Sequence, residues 1–345
     1  MPLSPGHLGR PLLHRVLAAL VVGAWLLAGC GTTAAPSVAP GAARAPAARP
    51  DRATVQTLLS VALSTEPPTA PGPPVPLARP YSRQGANPPS GLGFTYAAPG
   101  WVTSFHGRAS GITARVVVWL PPEYAQPAYA NQTFPVVQLL GGYPGNVFGW
   151  MHGLDVVSAY YRARAAGMPP AVLVATEISV AGRADLECLD APGHPQVETW
   201  ITRDVPAFMT AHFRVARPGG WGVMGFSMGG FCAPYLALTH PEVYRAAVAI
   251  NGYLAASSAQ LPSAFLARHS VLLAARARPA VSILWTTTHH DPNSPIPWGY
   301  QLQRTVAPPT QVTVEVFDSL GHATRQWSPY VASHLLWLVP RLPSS

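Results

Sequence analysis

The chain has 345 residues, 48% of them hydrophobic and only 10% charged, which is enough for one large domain or two small ones around a sizeable core. Its formal charge of +8 comes from 22 basic residues, and every one is arginine, so a Schiff-base lysine, a Ser-Lys dyad and a P-loop lysine are excluded. The arginines are scattered rather than clustered, which argues against a nucleic-acid partner.

Arg10 and Arg15 precede an apolar run from Val16 to Ala28. The run is short for a transmembrane span and suits the core of a signal peptide. It ends in Leu27-Ala28-Gly29-Cys30, which resembles a bacterial lipobox with Cys30 as the lipidated residue. The alternative is a plain secretory signal with an incidental cysteine. The spacing divides the chain into a signal peptide over 1–29, a linker over 30–89 and a folded domain over 90–345. The linker is rich in Ala and Pro, with one short helix expected from Asp51 to Leu63. The expected location is exported, on the outer face of the bacterial membrane, held by a lipid rather than by a span.

Within the domain, Gly93–Phe105 and Ile112–Leu120 read as two strands around His106-Gly107-Arg108. Short apolar strands follow at Phe134–Leu140, Ala171–Thr176, Trp221–Met224, Ala246–Ile250, Val281–Thr287 and Val312–Phe317. Helical patterns cover His152–Ala166, Glu198–Phe213, Met228–Leu238 and Trp327–Val339, with Pro234 expected to kink the third or to fall in its first turns. Strands alternating with helices predict a mostly parallel, doubly wound α/β sheet. The segment Leu254–Pro279 carries no readable pattern.

Gly225-Phe226-Ser227-Met228-Gly229 lies between a strand and a helix. A serine flanked by glycines at such a junction has the pattern of the nucleophile elbow of α/β-hydrolases. The alternative is an ordinary turn whose serine caps the helix. In doubly wound sheets, reactive residues gather at the carboxyl ends of strands, which selects three further loops. Gly141-Gly142-Tyr143 lets backbone N–H groups approach a substrate, so Tyr143 N–H, with Gly142 as the alternative, and Met228 N–H are the expected oxyanion donors. The His289-His290-Asp291 and Asp318-to-His322 loops supply an acid and a base. The order Ser227, Asp291, His322 matches that of α/β-hydrolases, with Asp318 and Glu315 as competitors for the acid. Adjacent histidines point apart, so His289 and His290 are not expected to hold a metal, and no cofactor motif is visible. With Cys30 given to lipid, Cys188 and Cys232 remain as a pair in an oxidising compartment, joined as a disulfide or left as two buried thiols.

From Arg115 onwards the chain resembles the esterase-D-like esterases, which include the secreted mycolyltransferases of mycolate-bearing bacteria. The resemblance rests on Gly-Phe-Ser-Met-Gly-Gly at 225–230, Leu140-Gly141-Gly142, Gly149-Trp150, Glu198 to Pro206, Asn251-Gly252-Tyr253 and Gly321-His322. It implies an α/β-hydrolase fold and a cell-envelope serine esterase forming an acyl-enzyme on Ser227, with an acyl ester of a wall lipid or glycolipid as partner. The mycolyltransferases carry Asp-Gly where this chain has Gly141-Gly142, and usually Glu as the acid. Transfer of an acyl group to a sugar, with Trp150, Trp298, Tyr300 and Trp327 as an aromatic platform, is therefore the secondary expectation. A non-enzymatic lipoprotein on the same fold is the third.

Overall fold

The computed structural model describes residues 83–180, 182 and 184–343. The expected signal peptide, the expected lipid site at Cys30 and the helix expected over Asp51–Leu63 lie outside the described residues. Among those residues, no helix is long and apolar enough to cross a membrane.

Nine strands form one sheet: β1 Thr95–Ala97, β2 Gly100–His106, β3 Thr113–Trp119, β4 Val136–Leu140, β5 Val172–Thr176, β6 Trp221–Phe226, β7 Tyr244–Ile250, β8 Ser282–Thr288 and β9 Gln311–Phe317. Their spatial order is β1-β2-β3-β5-β4-β6-β7-β8-β9. The β1–β2, β2–β3 and β3–β5 pairs are antiparallel, and every pair from β5–β4 onwards is parallel. The central parallel strands β4 to β7 are apolar nearly throughout because both faces are covered, whereas β8 and the edge strand β9 carry polar residues. Alternate residues feed two cores: Val136, Leu140, Val172, Val174 and Val223 face one, and Val137, Leu139, Leu173, Ala175 and Met224 face the other. The first core packs under the helix Met228–Thr239 and the helical run beginning at Val197. The second packs under Val156–Ala165 and Val331–Leu338.

The structure refines four sequence expectations. The run from Gly93 to Phe105 is two strands, because Ala98-Pro99 makes a turn and β1 folds back on β2 with Ala97 opposite Gly100. The helix expected from His152 begins only at Val156, after a wide turn over Gly149–Gly153 and Asp155 at a left-handed φ of 47°. The closing helix is broken by Ser328-Pro329 and continues as Val331–Leu338. Pro234 sits in the second turn of its helix without ending it. It has no N–H to give the Gly230 carbonyl, and Gly252 packs on that oxygen, where a Cβ would stand 2.3 Å away. Upstream of Ser90 the chain already packs on the sheet: Trp101 and Trp119 donate their indole N–H groups to the Ala86 and Arg83 carbonyls.

Glu198 and Asp204 serve as anchors. Asp204 accepts the N–H groups of Ala109 and Ser110, both at 2.9 Å, and Glu198 accepts from His240 Nε2 at 2.7 Å. The first fixes the β2–β3 turn, and the second ties the helix after Ser227 to its neighbour.

Candidate active site

β6 runs into the cleft and reverses at Ser227, whose backbone has φ 58° and ψ −116°. An L-residue in this region costs about 1–3 kcal/mol, so its surroundings must enforce the conformation. They do so through close backbone contacts. A Cβ on Gly225 would stand 1.6 Å from the Gly229 carbonyl oxygen, and one on Gly229 would stand 2.2 Å from the Leu140 oxygen. One on Gly230 would stand 2.6 Å from the Ile250 oxygen. Each glycine of Gly225-Phe226-Ser227-Met228-Gly229-Gly230 is thus required by a backbone group packed against it: Gly225 within the turn itself, Gly229 by the end of β4 and Gly230 by the end of β7. Ser227 N–H donates to Ile250 O at 2.9 Å and Gly229 N–H to Gly141 O at 3.0 Å, which locks the turn between β4 and β7.

Three loops converge on this serine. His322 Nε2 lies 2.8 Å from Ser227 Oγ, and His322 Nδ1 lies 2.5 Å from Asp291 Oδ2. The Asp291 carboxylate is fully buried, and its second oxygen accepts Asn293 N–H at 3.0 Å. As an acceptor-only group it fixes the proton on Nδ1, which leaves Nε2 to take the serine proton. Asp318 is 97% exposed and approaches only His289, at 3.7 Å. Glu315 lies within β9, and burial raises its carboxyl above the usual range. Neither competitor reaches the imidazole. Among the described residues, no group of three His, Cys, Asp or Glu is placed to hold a metal.

The histidine loop is itself held. Gly321 O accepts from Asn251 Nδ2 at 3.0 Å and from Trp327 Nε1 at 2.9 Å, while Thr288 Oγ1 donates to Leu320 O at 2.6 Å. Trp327 is fully buried, so it belongs to the core and to this brace, and not to a ligand platform. Tyr300 packs against the core as well. Trp150 is also buried, with its indole N–H on Leu140 O at 2.9 Å, but one edge lines the cleft, and Trp298 lines it too.

Gly142 lies directly over the nucleophile, where a Cβ would come within 3.1 Å of Ser227 Cβ. Tyr143 follows it and borders the cleft, and Met228 opens the helix, where N–H groups have no acceptor within the helix. Cys188 and Cys232 form a disulfide, with Cα atoms 5.8 Å apart and both residues buried. It joins the 185–190 loop to the helix after Ser227.

The cleft has two lobes that meet at Ser227, His322 and Tyr143. One, of about 280 Å³, is lined by Trp150, Leu154, Phe226 and Thr324. The other, of about 580 Å³, is lined by Asp185, Met228, Tyr253, Ser257, Asn293 and Trp298. The bracing roles of Asn251, Trp327 and Thr288 were not expected from sequence, and neither was the placement of Asp185 and Ser257. The only advance signal was Asn251-Gly252-Tyr253, as part of the family resemblance.

The strand order, the strained serine turn and the converging loops define an α/β-hydrolase. Residues 109–335 match the family described as "Putative esterase", and the chain belongs to it. Uncharacterized protein Cgl0967/cg1104 of Corynebacterium glutamicum is 30% identical over 151 residues, which are 41% of this chain and 34% of that protein. The chain therefore spans about a third of that relative. Among solved structures, an S-formylglutathione hydrolase from Agrobacterium tumefaciens is similar at TM-score 0.60 and 20% identity, over 73% of this chain and 99% of that one. A ferulic acid esterase aligns at TM-score 0.59 and 18% identity, over 70% and 97%. The fluorophosphonate-binding serine hydrolase FphF of Staphylococcus aureus aligns at 0.54 and 13%, over 68% and 96%. At these identities the structural likeness concerns the fold.

Proposed function

We infer that the protein is a serine esterase that works through an acyl-enzyme on Ser227. The observation that carries this is the continuous chain Ser227 Oγ, His322, Asp291 at 2.8 and 2.5 Å on a strained elbow. Ser227 Oγ attacks the ester carbonyl carbon as its proton moves to His322 Nε2. The carbonyl oxygen becomes an oxyanion, and the N–H groups of Met228 and Tyr143 are its proposed donors. The intermediate collapses, the imidazolium gives its proton to the departing alcohol oxygen, and the acyl group stays on Ser227. Water then attacks the acyl carbon through the same base, and free acid leaves. His322 is 34% exposed, so water reaches the base, which favours hydrolysis over transfer. A fluorophosphonate should label wild-type protein on Ser227. Ser227→Ala should abolish both labelling and hydrolysis of p-nitrophenyl butyrate, a loss of about 10⁴-fold or more. Labelling that persists in the variant would refute the assignment.

The proposed setting is the outer face of the cell membrane, with Cys30 carrying the lipid and the Ala/Pro-rich linker giving reach. In cells, the full chain should fractionate with membranes and Cys30→Ala should be released. Equal membrane retention of the two proteins would remove the anchor from the reading.

A further inference from the structure

The larger lobe carries a carboxylate in its wall, although the chain as a whole is positive. The formal charge is +8, yet no arginine among the described residues lines the lobe. Its one carboxylate is Asp185, half-buried, with Oδ1 accepting Glu187 N–H at 3.1 Å and with no ion pair to any described residue. Glu187 lies behind it, only 1% exposed. Glu187 Oε1 accepts from Tyr253 Oη at 2.7 Å and Ser257 N–H at 3.0 Å, and both of those residues line the lobe. Glu187 Oε2 is buried with no hydrogen-bond partner. Burial raises the carboxyls of both Asp185 and Glu187 above their ordinary range.

The placement is rigid. Glu187 has a left-handed φ of 54°, and the next residue, Cys188, is tied by its disulfide to the helix that begins at Ser227. Tyr253 stacks on Phe231 of that helix at 5.1 Å, and Trp298 stands on the same lobe. Aromatic faces attract cations, and a carboxylate in a half-desolvated wall acts on a nearby charge more strongly than one in open water. The smaller lobe has no carboxylate among its lining residues.

We propose that the esters this protein takes carry an ammonium group, which seats in the larger lobe against Asp185, with Glu187 buried behind that wall, while Ser227 attacks the ester carbonyl. This rests on Ser227 being the esterase nucleophile. The cation supplies a counter-charge that the two carboxyls do not find among the described residues, and Tyr253 and Trp298 supply the apolar and quadrupolar walls that accept an alkylated ammonium.

The test uses pairs of esters with the same shape and different charge. With the cation on the alcohol side the pair is acetylthiocholine and its carbon isostere S-(3,3-dimethylbutyl) thioacetate. With the cation on the acyl side it is p-nitrophenyl 4-(trimethylammonio)butanoate and p-nitrophenyl 5,5-dimethylhexanoate. At least one cationic ester should be preferred over its isostere by about tenfold or more in kcat/KM. Asp185→Asn and Glu187→Gln should each draw that ratio towards one. Ratios near one in both wild-type pairs overturn the proposal and leave the esterase intact, as does a preference unchanged in both variants. If all four esters turn over slowly, tetramethylammonium must still slow fluorophosphonate labelling of Ser227 where equal sodium does not, and equal labelling rates overturn the proposal. If Ser227 is never labelled and no ester is cleaved, the esterase reading falls and the proposal falls with it.

Discussion

Asp291 and Asp318 sit in neighbouring loops, and their surroundings separate them. Asp291 is fully buried and shares a 2.5 Å hydrogen bond with His322, whereas Asp318 is solvated and 3.7 Å from His289 alone. Asp291→Asn keeps the shape but can present an amide N–H to Nδ1, which forces the wrong imidazole tautomer. The variant should therefore lose about 10²–10⁴-fold in kcat with little change in KM, while Asp318→Asn stays within about twofold. Steady-state kinetics on p-nitrophenyl butyrate decides between them, and a crippled Asp318→Asn beside a silent Asp291→Asn would reverse the assignment. The meeting of Ser227, Asp291 and His322 was legible in sequence because each stands after a strand, in the chain order of α/β-hydrolases. Asn251 and Trp327 were not legible as braces. Each donates to one backbone carbonyl, that of Gly321, and such a task leaves no pattern in side-chain types.

The elements were legible where apolar residues run continuously, as in β4, β5 and β7, because a sheet covered on both faces allows few polar positions. Boundaries were less so where a single residue decides them. Pro99 splits one apparent strand, Asp155 delays a helix, and Pro329 divides the last one. The cysteine pair is legible only as a count of two, since sequence carries no distance; the fold supplies it by bringing the 185–190 loop beside the helix after Ser227. The two cysteines are 44 residues apart, so the cross-link removes substantial entropy from the unfolded chain. Replacing both by serine should lower stability by about 3–4 kcal/mol, read as a lower urea midpoint for the domain. The Asp185–Glu187 wall should loosen as well, so the double variant should lose activity below its unfolding transition. An unchanged midpoint would mean that packing alone holds the loop.

At the level of the whole molecule, hydrolysis and acyl transfer share every step as far as the acyl-enzyme. They diverge on which hydroxyl the cleft orients and on whether water is kept out. Two of the four aromatic residues that could have formed a sugar platform are committed elsewhere: Trp327 braces the histidine loop and Tyr300 packs on the core. Trp150 lines only the smaller lobe, which leaves Trp298 as the one of the four in the larger lobe, where the hydroxyl of Tyr253 is already committed to Glu187. Trp298 and a Tyr253 whose hydroxyl is already bonded, beside a carboxylate, make a poor acceptor site for a neutral disaccharide, whose hydroxyls need several fixed partners. His322 remains open to solvent, so water competes at its bulk concentration. Purified protein given an acyl ester and excess trehalose should therefore release mainly free acid, with acyl-trehalose a minor product by mass analysis. Acyl-trehalose formed faster than free acid would show that the cleft orders a sugar despite this lining, and would make the protein a transferase.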